Sequence, residues 1–275
     1  MVTILYRGTS VGYICKKIAA TNPTKIRAVH ESNFHHTNYV DGTLVRWDSK
    51  MPLHAAKTIN SYVAVQLSRD KRASRIELAG LCPQTVVTTP QLATLTYPAL
   101  IRPRRHHAAL GFHVCANTAQ AAKVVKRLGA GRWYASPVIK KTKEFRVFVF
   151  QGRCIQVARR YCDDPNQIAW NIAVGGKTVR VKRESWPLEA IKSAILATEK
   201  LGLDYAAIDV IIDTQGKPYV LEANTAPGLE REETIKKLGQ LFIWSETHEV
   251  PAKINWTSTL NIKLVRHPAM VNLES

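Results

Sequence analysis

Ala206-Ala207-Ile208-Asp209-Val210-Ile211-Ile212, followed after a short polar turn by Pro218-Tyr219-Val220-Leu221-Glu222-Ala223-Asn224, is the stretch on which the fold turns. Both halves are apolar enough to be strands, and residues 214–217 (Thr-Gln-Gly-Lys) read as the loop of a hairpin. Asp209 interrupts an otherwise apolar run. A carboxylate buried without a partner is costly, so it should have a partner, often a cation. Glu222 and Asn224 lie two residues apart, hence on one face of their strand. Counting inward with Asp213 opposite Pro218 places Asp209 opposite Glu222. Two carboxylates and an amide oxygen then meet on one patch. Three hard oxygen donors suit Mg²⁺, which takes its remaining ligands from phosphate and water.

Upstream, Glu144–Phe150 and Arg153–Arg160 read as a hairpin around Gln151-Gly152. A two-residue turn puts Glu144, Arg146 and Phe148 on one face with Ile155, Val157 and Arg159, and sets Glu144 opposite Arg159. Trp133–Ile139 and Pro98–Pro103 read as strands and Phe112–Cys115 as a further one. Thr118–Leu128 reads as a helix stopped at Gly129, and residues 189–201 as an amphipathic helix stopped at Gly202. At the start, Val2–Tyr6 is a strand that leads through Gly8 into a helical stretch. Residues 54–67 read as helical, and so does the region 232–241; short strand-like pieces follow. Strands and helices alternate early and antiparallel hairpins dominate later, which predicts an α+β assembly of several lobes.

The 275 residues include 45% apolar ones, enough for a packed core. Five scattered cysteines without a C-x-x-C pair argue against a disulfide framework and a zinc site. The first twenty residues do not read as a signal peptide, and no run approaches membrane-span length. A soluble, cytoplasmic protein is the expectation. Lys and Arg number 39 against 21 Asp and Glu, a net charge of +18. Such an excess favours anionic partners, nucleotides or nucleic acid among them, without choosing one.

Asp209 followed by Leu221-Glu222-Ala223-Asn224-Thr225-Ala226-Pro227-Gly228-Leu229 closely resembles the metal motif of ATP-grasp ligases. Within that superfamily it is most similar to small carboxylate–amine ligases related to ribosomal-protein glutamate ligases and glutathione synthetases. The resemblance covers about residues 71–235. It implies two lobes that clasp ATP, residues 71–135 and 136–235, after an N-terminal α/β domain at 1–70. Residues 236–275 are left as a tail without a role.

It further implies site residues. Lys71 to Thr85 is similar to the helix and turn that open the module. Arg102 stands where the family has a phosphate-contacting lysine, keeping the charge but presenting a planar fork. The following loop, Arg104–Gly111, holds only one glycine, so His106 or His107 would contact phosphate in place of backbone amides. Ser136, Val138 and Ile139 would meet the adenine edge. Glu144-Phe145-Arg146 resembles an acid-x-arginine step on the nucleotide side. Arg146, with Arg159 or Arg160, would stabilise charge at the transferring phosphate. Asn171 resembles a segment near the acceptor.

The implied activity is activation of a carboxylate by ATP and its transfer to an amine. ATP and Mg²⁺, or Mn²⁺ in its place, would be the cofactors, with Asp209, Glu222 and Asn224 as metal ligands. Two rivals stand beside it. One is a phosphotransferase on the same fold. The other is a basic nucleic-acid-binding protein of ATP-grasp shape, and an anionic or nucleic-acid-associated acceptor lies between the two.

Overall fold

Residues Val2–Tyr6 are buried along their whole length and form strand β1. Strands β2 (Ile26–His30), β3 (Tyr39–Trp47) and β4 (His54–Ile59) join it in a parallel sheet ordered β2-β1-β3-β4. This computed structural model describes residues 1–34, 39–105, 111–164, 167–170, 175–229 and 231–248. Helix α1 (Thr9–Ala20) follows β1 and lies against the sheet through Cys15 and Ile18.

The segment 54–67 is not one helix. His54–Ile59 is the edge strand β4, and helix α2 (Tyr62–Arg69) begins only after Ser61, whose side chain caps it by accepting from the Ala64 N–H. Ala and Lys favour helix intrinsically, but pairing with β3 outweighs that weak preference. Asn60 makes the break. Its φ of 63° is a left-handed conformation that asparagine tolerates. Fully buried, its side chain accepts from the N–H groups of Asp204 and Tyr205 (2.9 and 3.0 Å) and donates to the Tyr205 carbonyl (2.8 Å).

Helix α3 (Lys71–Glu77), capped by Asp70, leads into a three-stranded antiparallel sheet. Its order is β6-β5-β7, with β5 at Ala99–Pro103, β6 at His113–Cys115 and β7 at Trp133–Pro137. Helix α4 (Thr118–Leu128) covers one face, and Ile101, Ala121, Val125 and Trp133 fill a core of their own there. Gly129 ends α4 at a φ of 86°, as its position predicts.

The third sheet is antiparallel, ordered β10-β9-β8-β11-β12. Its strands are β8 (Lys141–Phe150), β9 (Arg153–Tyr161), β10 (Lys177–Arg180), β11 (Tyr205–Asp213) and β12 (Pro218–Asn224). Helix α5 (Leu188–Lys200) seals one face with Ile191, Ala194 and Ile195 against Val147, Ile208 and Val220. On the other face Phe148, Phe150, Tyr205 and Ala207 join the core of the N-terminal sheet. There Trp47 stacks on Tyr205 at 5.4 Å.

Two bulges adjust the sequence-based registers. In the β8–β9 hairpin Ile155 is extra: Val149 pairs with Cys154, but Phe148 pairs with Gln156. Glu144 therefore lies opposite Arg160 and not Arg159, and its face carries Gln156, Ala158 and Arg160. In β11–β12, Ile212 and not Asp213 pairs with Pro218. Leu221 is then extra, and this second shift restores Asp209 opposite Glu222. After β12 the chain enters α6 (Glu232–Thr247). Residues 236–247 thus continue a helix, and Leu238, Leu241 and Phe242 are buried with Ile4, Ile18 and Trp47. Gly239 permits the approach to α1: a Cβ there would lie 2.5 Å from the Thr21 hydroxyl. The strand-like pieces expected beyond fall outside the described residues.

Asn60→Ala removes three buried hydrogen bonds and leaves backbone groups of the β11 start unpaired. It is expected to lower unfolding free energy by about 2–4 kcal/mol, read from urea melts. An unchanged midpoint would show that the clamp is not energetically important.

Candidate active site

Asp209 is 2% exposed, on the sheet face opposite α5. Strand register sets Arg146 directly across from it on β8. The arginine grips the carboxylate with two bonds, Nε to Oδ1 at 2.8 Å and Nη2 to Oδ2 at 2.9 Å. Arg160 donates from Nη1 to Asp209 Oδ2 (3.0 Å) and to Glu144 Oε1 (3.2 Å). Lys141 donates to Glu144 Oε2 at 2.5 Å and to the Ile168 carbonyl at 2.8 Å. Acids and bases thus alternate in one buried chain. Burial alone would pull the Arg146 guanidinium down. Asp209, with Glu222 and Glu144 behind it, more than offsets that and holds it above its ordinary value. Lys141 goes the other way: burial lowers it, Glu144 opposes, and the charges of Arg160 and Arg102 add to the fall.

The β11–β12 register brings Asn224 Nδ2 to 3.4 Å from Asp209 Oδ2 and 3.3 Å from Glu222 Oε1. Lys71, at the start of α3, lies 3.3 Å from Glu222 Oε2 and donates to the Ala223 carbonyl at 3.3 Å. In this arrangement the amide NH₂ and the ammonium supply the positive partners that two neighbouring carboxylates require. The donor set also suits a hard cation: turning the Asn224 amide over presents its oxygen beside Glu222 and Asp209. Asp209 would have to share its Oδ2 with that ion and two arginines. Among the described residues no group of three His, Cys, Asp or Glu side chains forms a metal site. The candidate thus remains two carboxylates and an amide.

Beside this patch lies a cavity of about 910 Å³. Glu222, Asn224 and Lys71 line it, and so do Gly8 of the β1–α1 turn and Ser10 in the first turn of α1. Arg7, Lys50, Arg69 and Arg105 make its surroundings basic. Arg146 and Arg160 also reach a second, smaller pocket of about 70 Å³ bounded by Gly228, Leu229 and Arg231.

The other sequence-derived candidates are placed as follows. Arg102 sits on β5 opposite Tyr134. Ser136 is buried on β7, and the Val138 N–H is already given to the Pro98 carbonyl at 2.9 Å. Ile139 is half-buried just past the strand. Glu144 is bonded to Lys141 and Arg160. Of the two adjacent arginines, Arg159 is exposed and Arg160 is turned inward. His106, His107 and Asn171 lie outside the described residues. Lys141 was not singled out from sequence; its spacing of three residues before Glu144 was the available signal. Lys71 was read only as part of an opening helix.

The profile of an ATP-grasp domain, the third family of its clade, matches residues 31–241. The chain belongs to that ATP-grasp family. Over 121 residues, 42% of this chain, it is 36% identical to a probable alpha-L-glutamate ligase of Parasynechococcus marenigrum (strain WH8102), of which the match covers 24%. Over 187 residues it is 26% identical to a probable alpha-L-glutamate ligase of Aeromonas salmonicida (strain A449), with 62% of this chain and 61% of the relative covered. The matched segments thus span a minor part of some relatives and under two thirds of others. Among solved structures, D-alanine–D-alanine ligase from Bacillus anthracis superposes with a TM-score of 0.64 at 14% identity, over 89% of this chain and 96% of that one. The ATP-grasp ligase PsnB complexed with minimal precursor gives 0.65 at 13% identity, over 88% and 98%. These likenesses establish the ATP-grasp fold. No helix among the described residues is long and apolar enough to cross a membrane.

The two adjacent arginines give a direct check on the register. Arg160→Met should cost about 3–5 kcal/mol by stranding buried carboxylate charge. Arg159→Met should stay within about 0.5 kcal/mol. Equal effects in denaturant melts would place the bulge elsewhere.

Proposed function

We propose that the protein is an ATP-dependent ligase that activates a carboxylate as an acyl phosphate and joins it to an amine. The observation that carries this reading is the alignment of Asp209, Glu222 and Asn224 beside the inward arginines Arg146 and Arg160 on one sheet face, in a chain of the ATP-grasp family. A substrate carboxylate oxygen attacks the γ-phosphorus of ATP and ADP leaves. The amine then attacks the acyl carbon, phosphate leaves with the bonding pair, and the nitrogen loses a proton to yield the amide. Such transfer needs positioning and charge neutralisation more than covalent help.

The side chains supply both. Asp209 takes the Nε/Nη2 edge of Arg146 and so fixes the guanidinium plane at the transferring phosphate. Arg160, held by Glu144 and Asp209, adds a second fixed charge. Arg102, with His106 or His107, would meet the phosphates from the other lobe, while Ser136, Val138 and Ile139 flank the adenine edge. Mg²⁺, or Mn²⁺ in its place, would be held by Glu222, Asn224 and Asp209 and would neutralise phosphate charge. Lys71, 3.3 Å from Glu222, orients that carboxylate.

The large cavity beside Glu222 and Asn224 is the acceptor end in this reading. Its basic surroundings, Arg7, Lys50, Arg69 and Arg105, favour an anionic acceptor over a neutral one. An amino acid or peptide with acidic groups fits this chemistry. The relatives' name, probable alpha-L-glutamate ligase, agrees with it. A nucleic-acid-associated acceptor would instead show steep salt dependence.

Glu222→Gln should reduce ADP release roughly 100-fold or more while the circular dichroism spectrum is unchanged, and should abolish the thermal shift that Mg²⁺ gives the wild type. Normal ADP release from the variant removes the metal assignment. Hydroxylamine added during turnover should trap a hydroxamate. ADP formed without hydroxamate would point to phosphotransfer to an alcohol.

A further inference from the structure

Arg75 on α3 is 2% exposed, yet neither Nη1 nor Nη2 has a hydrogen-bond partner among the described residues. Its guanidinium lies 5.8 Å from the centroid of the Tyr134 ring. Across the strand pair from Tyr134 is Arg102, a second cation on the same sheet face. Leu100, Arg102, Tyr134 and Ser136 share that face, turned away from the core under α4. Neither Arg75 nor Arg102 takes part in an ion pair among the described residues.

An arginine does not shed its proton to escape burial. Desolvation pulls Arg75 below its ordinary value; Tyr134, and to a smaller degree the Cys82 thiol, oppose this and the Arg102 charge deepens it. A cation–π contact offsets only a fraction of such a penalty. Lys141, from the opposite lobe, is also lowered in part by Arg102. Two cations, from α3 and β5, therefore meet at one β7 residue, and among the described residues no carboxylate pairs with Arg75 or Arg102. An arrangement of this kind is complete only when an anion is present.

We propose that Arg75 and Arg102 form, around Tyr134, a two-arginine anion site whose counter-charge is the polyphosphate of the bound nucleotide. Arg75 is a positioning residue in it: too deep to touch the ligand, it sets the field and the placement of Tyr134 and Arg102. The inference rests on the nucleotide half of the ligase reading and not on its carboxylate or amine. Its consequence is that the ligand-free protein carries an uncompensated buried charge, so that anion binding and stability are coupled.

The test is thermal unfolding of the full chain with sodium tripolyphosphate, adenosine or ATP, alongside ATP kinetics. In R75M the ligand-free midpoint should rise by about 2 °C or more. The tripolyphosphate shift should vanish, KM for ATP should rise about tenfold, and any adenosine shift should stay. R75K should keep the tripolyphosphate shift. In an R102M background R75M should add no further loss, because the two act as a unit. A lower ligand-free midpoint with the tripolyphosphate shift intact would overturn the proposal and leave Arg75 a structural prop for Tyr134. Where R75M does not fold, R75Q, neutral but polar, decides by the same shift. Because tripolyphosphate needs no turnover, the anion site and the ligase reading fail separately.

Discussion

Asp209 between Arg146 and Arg160 is the interaction around which the molecule is organised. A buried carboxylate tolerates that position only if cations meet it with good geometry. Here the geometry is made by strand register: Arg146 lies directly across on β8, and Arg160 reaches diagonally from β9. The apolar part of the same face, Phe148, Phe150, Tyr205 and Ala207, packs on the N-terminal sheet. The face thus divides into a dry end that bonds two units of the fold and a charged end that carries the candidate site. Neither end moves without the other, because they share the same two strands.

The register that brings the three candidate metal ligands together was legible from residue types and turn length. An aspartate within Ala206–Ile212 and a Glu-x-Asn pair after a four-residue turn sufficed to set Asp209 against Glu222. The pairing holds for a reason the pattern does not contain. The loop between the paired residues is one residue longer than the count assumed, and the bulge at Leu221 returns the difference. In the β8–β9 hairpin nothing compensates. The bulge at Ile155, whose side chain stays in the core, exchanges Arg159 for Arg160 opposite Glu144. Alternation alone does not reveal which residue of an apolar strand is extra, and one residue is enough to turn a charge from solvent to site.

Two other features escaped for different reasons. His54–Ile59 carries helix-favouring residues and becomes a strand because β3 offers an edge. The end of α6 has no motif, yet its Leu238, Leu241 and Phe242 complete the core under β1 and β3. Both are tertiary effects, decided by partners distant in sequence. Arg75 is a third kind of case: a basic residue on a short helix looks like surface until the fold encloses it.

The Asn60 side chain spans two sheets. It ties the loop after β4 to the first residues of β11, the strand that carries Asp209 four positions on. Together with the Trp47–Tyr205 stack, it makes the parallel sheet and the five-stranded sheet a single mechanical block. The β6-β5-β7 sheet shares no strand with that block and keeps a core of its own. Under the proposed function, the candidate metal patch belongs to that block while Arg102 belongs to a sheet with its own core, so clasping a nucleotide would move the Arg102 sheet against a fixed block.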